Sequence, residues 1–244
     1  MIGWSGGQPA TWNREDTLPT GTWERLPTAR REAVVEAAEA EFAARGFSGG
    51  SLNTIGREAG VSKGSLFQYF TDKADLYAYL AELASMRIRA AMEAEIARLE
   101  WEDDFFGSLD ALLAAWVRYF FDHPRDRALT AAANLEADPN ATAAVRATVN
   151  RHYLAVIRPL LEKAAASGKL IPGSDVEVLL ALLLVLLPHL AIAPHTPGMD
   201  PVLGMTGTSV ERAADAAHRI TVTLLNAYRP STDRQPHNEE RSTS

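Results

Sequence analysis

Cysteine is absent from all 244 residues, which removes disulfides, thiolate-bound zinc, iron–sulfur clusters and thiol nucleophiles together. The fold has to be held by packing, in keeping with a reducing cytoplasm as the expected location. Positive charge is also scarce. Lys and Arg number 24 against 31 Asp and Glu, a formal charge of −7, so a general coating of nucleic acid is excluded and any contact with a polyanion has to be local. Long apolar runs are missing as well: the longest, Val178–Leu187, meets Pro188 and His189 well short of the roughly 20 residues a bilayer needs, and reads as a buried helix. The N-terminus has no basic cluster leading into an apolar stretch, so no signal peptide is expected. The histidines lack ligand spacing such as HExxH, and no GxSxG elbow, phosphate-cradling glycine loop or paired carboxylates stand out. No metal, cofactor or catalytic activity is expected.

Alternating strand patterns of useful length are lacking too, and what remains is helical periodicity on a chain that is 47% hydrophobic, enough for a sizeable core. Residues 1–26, with Trp4, Trp12 and Trp23, have no period and read as a flexible arm whose tryptophans lie loosely on the surface. The polar stretch 230–244 reads as a disordered tail. Between them a first helix is predicted over Ala29–Arg45, with Thr28 as its N-cap, Gly46 past its end, Val34, Ala38 and Phe42 as its buried stripe, and Glu36, Glu39 and Glu41 pointing away from that stripe.

A second helix starts after Ser51, whose hydroxyl can cap it, and buries Leu52, Ile55 and Ala59. Gly60 can take the left-handed turn, Val61 packs at the corner, and Ser62 caps a short third helix, Lys63–Phe70, with Leu66 and Phe70 inward. Asp72 caps a fourth, whose stripe is Leu76, Leu80 and Leu83, with Asp75 adding charge at its positive end. This is the layout of a helix-turn-helix over about 51–70. Its outer face carries Lys63, Ser65, Phe67, Gln68 and Tyr69. Gln can pair with an adenine edge, an aromatic ring can touch a thymine methyl, and hydroxyls and Lys can hold phosphates. Over 45–73 the basic residues Arg45, Arg57, Lys63 and Lys73 outnumber Glu58 and Asp72, a local +2.

The strings RREAVVEAAEAEFAARGF, SLNTIGREAGVSKGSLFQYF and TDKADLYAYL resemble the tetracycline-repressor (TetR) family over about residues 28–80. The resemblance implies DNA contacts at Ser51, Asn53, Lys63, Gly64, Ser65, Phe67, Gln68 and Tyr69, with Lys73 on a backbone phosphate. It implies an all-α homodimer that places two heads about 34–36 Å apart on a near-palindromic operator, and a repressor released by a small molecule. Gly56 stands where the family usually has Ala, which predicts a second helix weaker by roughly 1 kcal/mol. Phe67 replaces a frequent Tyr.

The expected organisation is an arm (1–26), a three-helix head (27–72), a connector helix leading into a helical ligand-binding and dimerisation domain (73–229), and a tail (230–244). In the C-terminal part, helices are predicted over Leu109–His123 (Leu109, Leu112, Trp116 and Phe120 inward), 125–136, 141–166 (Val145, Val149, Tyr153, Val156 and Leu160 inward, kinked at Pro159), 176–191 and 209–228. The helix over 176–191 is apolar nearly all round and has to be covered on every side, so it and 209–228 are predicted to pack against their copies in a second chain. Trp116, Tyr119, Phe120, Asn134, His152, Tyr153 and His189 are the candidate pocket residues for an apolar or aromatic effector. An alternative is a helical interaction protein that keeps the head fold and recruits a protein through its Trp-bearing arm.

Overall fold

The computed structural model describes residues 19–230; the stretches 1–18, with Trp4 and Trp12, and 231–244 lie outside the described residues. Among the described residues every regular element is helical: α1 (Gly21–Glu24), α2 (Thr28–Gly49), α3 (Leu52–Glu58), α4 (Lys63–Tyr69), α5 (Lys73–Ile96), α6 (Phe105–Asp122), α7 (Pro124–Leu135), α8 (Pro139–Ala166), α9 (Val176–Ile192) and α10 (Val210–Leu225), with a 3₁₀ turn at Ala193–His195. The chain forms two compact units. Residues 19–90 and 122–152 make the first, 91–121 and 153–230 the second. Thus α7 and the first half of α8, assigned from the sequence to the C-terminal domain, pack with the helices of the head.

The first unit is built on local signals that the sequence carries. Val34, Ala38 and Phe42 of α2 are fully buried. The expected cap at Thr28 is corrected: Thr28 is already helical, and the carbonyl of Pro27 before it accepts from the Arg30 and Arg31 N–H groups. Gly46 breaks α2 with φ 64°, where a side chain would be strained. Ser51 Oγ accepts from the Thr54 N–H (3.4 Å), Ser62 Oγ from Ser65 (3.0 Å) and Asp72 Oδ1 from Asp75 (2.9 Å), so all three predicted caps form. Asp75 returns the favour by accepting from the Thr71 N–H. It is buried, and that burial raises its carboxyl above the ordinary aspartate range.

Gly56 is not a weak Ala position. The Val61 N–H donates to its carbonyl at 2.8 Å, and a Cβ on residue 56 would sit 2.8 Å from the Val61 oxygen. The corner closes so tightly on α3 that only hydrogen fits. Gly56→Ala is therefore expected to lower the thermal midpoint, against the helix-propensity gain of about 1 kcal/mol; a melt showing a rise would contradict this packing.

Glu39 and Glu41, read as pointing away from the buried stripe, are only 3% and 8% exposed. Both are satisfied by partners outside α2. Glu41 accepts the Ser51 N–H (2.9 Å). Glu39 meets Arg87 of α5, whose Nη2 lies 2.9 Å from Glu39 and 2.5 Å from buried Asp126 of α7. Burial alone would lower the Arg87 pKa, but Asp126 and then Glu39 raise it above the ordinary arginine value. Beside this, Glu136 accepts from Ser48 Oγ (2.6 Å), Ser48 N (3.1 Å) and the N–H groups of Ala137 and Asp138. Burial works against its charge, yet these donors hold its pKa down to about 2. One carboxylate thus pins the end of α2 to the α7–α8 turn.

Two stripes run differently from the sequence reading. On α5, Leu83 is half-buried, and Ala84, Ile88 and Met92 continue the buried face instead. On α8, Val156 and Leu160 are half-buried while Ile157 and Leu161 are inside. A row at i, i+4 drifts around a helix of 3.6 residues per turn. Both helices leave the first unit partway along and enter the second. α8 remains a single helix through Pro159.

In the second unit, α6 buries Leu109, Leu112, Trp116 and Phe120 as read from its spacing, and α9 buries Leu179, Leu180, Leu183, Leu187 and Leu190. Val178, Leu182 and Val185, along another face of α9, are 48%, 41% and 76% exposed, and Val222 of α10 is 36% exposed. The stretch Val176–His195 is long and apolar enough to cross a bilayer by composition, more so than the short run Val178–Leu187 suggested, but half of it is buried inside the protein. It is a core helix with one uncovered face.

Candidate nucleic-acid interface

α4 is held from below and free above. Leu66 (2%) and Phe70 (2%) anchor it, with Ile55 of α3 fully buried in the same core. Ser62 and Ser65 join their hydroxyls (2.9 Å) at its N-terminus. Gly60, with φ 67°, turns the chain between α3 and α4. The opposite face carries Lys63, Gly64, Phe67 and Gln68, all exposed, with Asn53 exposed on α3 and Ser51 and Ser65 half-buried. Phe67 is 47% exposed, and the Lys63 ammonium lies 5.8 Å from its ring centroid. A cation, a bare ring and an amide on one helical face suit phosphate, thymine methyl and adenine edge in turn. The absence of the usual Tyr hydroxyl at 67 leaves that ring purely apolar.

Two of the expected DNA contacts are engaged within the head. Tyr69 is 5% exposed and faces inward, because Trp23 of α1 covers it with ring centroids 5.7 Å apart. Trp23 itself is 2% exposed, against the expectation of a loose surface tryptophan; it also packs on Phe70 (4.9 Å) and Tyr79 (5.6 Å). Residues Thr20–Glu24 are therefore not part of a loose arm, and α1 belongs to the head. The only sequence hint was the apolar pair Trp23 and Leu26 at helical spacing. Lys73 is the second case. Its Nζ donates to the carbonyls of Phe47 (2.8 Å) and Gly50 (3.3 Å) and lies 4.3 Å from the Phe47 ring. Two of the three ammonium donors thus brace the α2–α3 loop.

The pocket candidates separate. Trp116, Tyr119, Phe120 and Tyr153 come together in the second unit, where Trp116 meets Phe120 (4.9 Å) and Tyr153 (5.5 Å) edge to face, and its indole N–H is used on the Leu187 carbonyl (2.9 Å). His189 is half-buried on α9 in the same unit, and its field helps lower the Asp200 pKa, chiefly set by the Leu203 and Met205 N–H groups. Asn134 and His152 lie in the first unit: Asn134 donates to the Thr130 carbonyl (2.8 Å), and His152 Nε2 is 3.1 Å from Glu82. Spacing missed Phe121 and His195, whose rings sit 4.4 Å apart in the second unit.

Helices α2–α4, with a capped and glycine-turned corner and an outward polar face on the last, define a helix-turn-helix DNA-binding head. Residues 34–80 match the family model "Bacterial regulatory proteins, tetR family", and residues 102–206 match "Tetracyclin repressor-like, C-terminal domain". The chain belongs to the TetR family of DNA-binding transcriptional regulators. It is 28% identical over 193 residues to the HTH-type transcriptional repressor AcnR of Corynebacterium efficiens, covering 76% of this chain and 95% of that protein. It is 30% identical over 89 residues to the HTH-type transcriptional repressor SCO4008 of Streptomyces coelicolor, a stretch of 36% of this chain and 43% of that one. Its fold is shared with a TetR family regulator from Chloroflexus aurantiacus, at a TM-score of 0.60 and 22% identity over 88% of this chain and all of that one.

Proposed function

We propose that the protein is a cytoplasmic repressor that grips a near-palindromic operator as a homodimer and is released by a small apolar or aromatic effector. The observation that carries the DNA reading is the split of α4 into a buried side, Leu66 and Phe70, and an exposed side, Lys63, Phe67 and Gln68. In this reading Gln68 and Phe67 touch base edges, Lys63, Ser65, Ser51 and Asn53 hold the backbone, and Gly64 lets phosphate approach closely. Lys73 contributes one remaining donor to phosphate while bracing the loop. The effector reading rests on the aromatic group Trp116, Tyr119, Phe120 and Tyr153 in the second unit. The Trp116 donor is already used on Leu187, so its indole offers ring surface. Repression is the activity both named relatives carry in their names. The recruitment alternative loses Trp23, which is spent inside the head.

The test is selection of duplexes by the full chain from a randomised pool, followed by titration at several salt concentrations. Lys63→Ala is expected to weaken binding on all duplexes and to reduce the salt slope by about 0.9. Gln68→Ala is expected to relax the choice at one base pair, costing on the order of 1–3 kcal/mol on the selected sequence. Absence of any salt-sensitive, sequence-selective complex with the wild-type chain would sink the reading.

A further inference from the structure

We propose that residues Thr20–Trp23 are a clasp that fixes the reading end of the recognition helix, so that operator selectivity depends on a segment upstream of the helix-turn-helix. The inference rests on the reading that the outer face of α4 meets DNA.

The last carbonyls of a helix have no partners within it. In α4 those of Gln68 and Tyr69 are taken by a single residue: Thr20 Oγ1 donates to the Gln68 carbonyl (2.5 Å) and Thr20 N–H to the Tyr69 carbonyl (3.0 Å). Three residues on, Trp23 is buried against Tyr69, Phe70 and Tyr79, and its indole N–H reaches the Tyr79 hydroxyl (3.3 Å). The Trp23 N–H in turn donates to the Thr20 carbonyl (2.8 Å), joining both halves of the clasp. α4 is only 7 residues long, too short to be rigid by itself. The Gln68 side chain is exposed, yet its own carbonyl is tied and its two C-terminal neighbours are wedged by Trp23. A side chain that makes two hydrogen bonds to a base edge needs its backbone placed to within a fraction of an ångström. The clasp supplies that placement. It also accounts for the inward turn of Tyr69, whose ring forms the seat of Trp23 rather than an outer contact. The matched head of the family begins at residue 34, downstream of this segment. Thr20 and Trp23 are positioning residues, acting through Gln68 and not on DNA.

The experiment uses the full chain and the duplex it selects from a randomised pool, beside a duplex altered at the Gln68-dependent base pair and an unrelated duplex. Thr20→Val removes one donor and keeps shape and backbone. It is expected to lower the preference for the selected over the altered duplex by about fivefold, the worth of one hydrogen bond, with little change on the unrelated duplex. Trp23→Ala is expected to reduce that preference further and Trp23→Phe to restore part of it. In a Gln68→Ala background Thr20→Val is expected to have almost no additional effect on the preference. A bracing role in stability alone would weaken all three duplexes together and add to Gln68→Ala; that result, or an unchanged preference in Thr20→Val and Trp23→Phe, overturns the clasp. Should Trp23→Ala not fold, the Thr20→Val cycle still decides. A wild-type chain that selects no duplex would instead remove the DNA-reading assignment beneath it.

Discussion

Val185→Asp is expected to yield a folded monomer that has lost tight operator binding. Val185 is 76% exposed within one chain, so the substitution removes no packing there and should leave helical circular dichroism unchanged. Along with Val178 and Leu182 it forms an apolar row at i, i+4 and i+7 on α9, bounded by no charge between Glu177 and His189. If that row meets its copy about a two-fold axis, each substitution enters the seam twice. Two unpaired carboxylates in an apolar interface cost about 3 kcal/mol or more each, which weakens dimerisation on the order of 10⁴-fold. Sedimentation at micromolar concentration is then expected to show a monomer for the variant and a dimer for the wild-type chain. DNA affinity falls with it, because one head with a local charge of only +2 over 45–73 has little electrostatic grip. A Val185→Asp chain that stays dimeric would place the interface elsewhere.

Arg87→Met is expected to have the largest effect on stability. The side chains of Glu39 and Asp126 are 4% and 6% exposed, and Arg87 is their shared partner. Met preserves much of the apolar stem and removes the charge. Both carboxylates then lose their shared guanidinium in a nearly dry site, with Arg125 3.7 Å from Glu39. Removing one member of a buried ion pair costs about 3–5 kcal/mol; with the Arg87 side chain 42% exposed, the lower end is expected, read as the loss in urea-unfolding free energy. The double replacement Glu39→Gln with Asp126→Asn in the Arg87→Met background should recover a large part of it. A loss that the double replacement does not relieve would mean that packing, not charge, is what Arg87 contributes. Since these residues join α2, α5 and α7, operator binding is expected to suffer with stability.

The parts of the head that were legible are those written in short sequence distance. Ser51, Ser62 and Asp72 cap groups three residues away, Gly60 turns where only a missing Cβ is comfortable, and Leu66 and Phe70 lie one helical turn apart. Even there the reading failed where the chain closed back on itself. Gly56 looked like a defect in a helix until the Val61 carbonyl was found against it. Lys73 looked like a free phosphate ligand, though the end of α2 leaves carbonyls within its reach. Pocket residues were the least legible, because Asn134 and His152 share polarity with Trp116 and Tyr153 but not a compact unit.

The sequence by itself determined the helices from α2 onward, the caps at Ser51, Ser62 and Asp72, the corner at Gly60 and the outward set Lys63, Phe67 and Gln68, because each depends on hydrogen bonds and side-chain periods that span at most a few residues. Tertiary structure alone decided that Glu39 and Asp126 are buried around Arg87, that Tyr69 turns inward beneath Trp23, and that α7 joins the head. Those outcomes depend on which surfaces meet across sequence separations of 39 to 88 residues. The energy of a buried charge or ring is set by the partner it finds there, which no local pattern records.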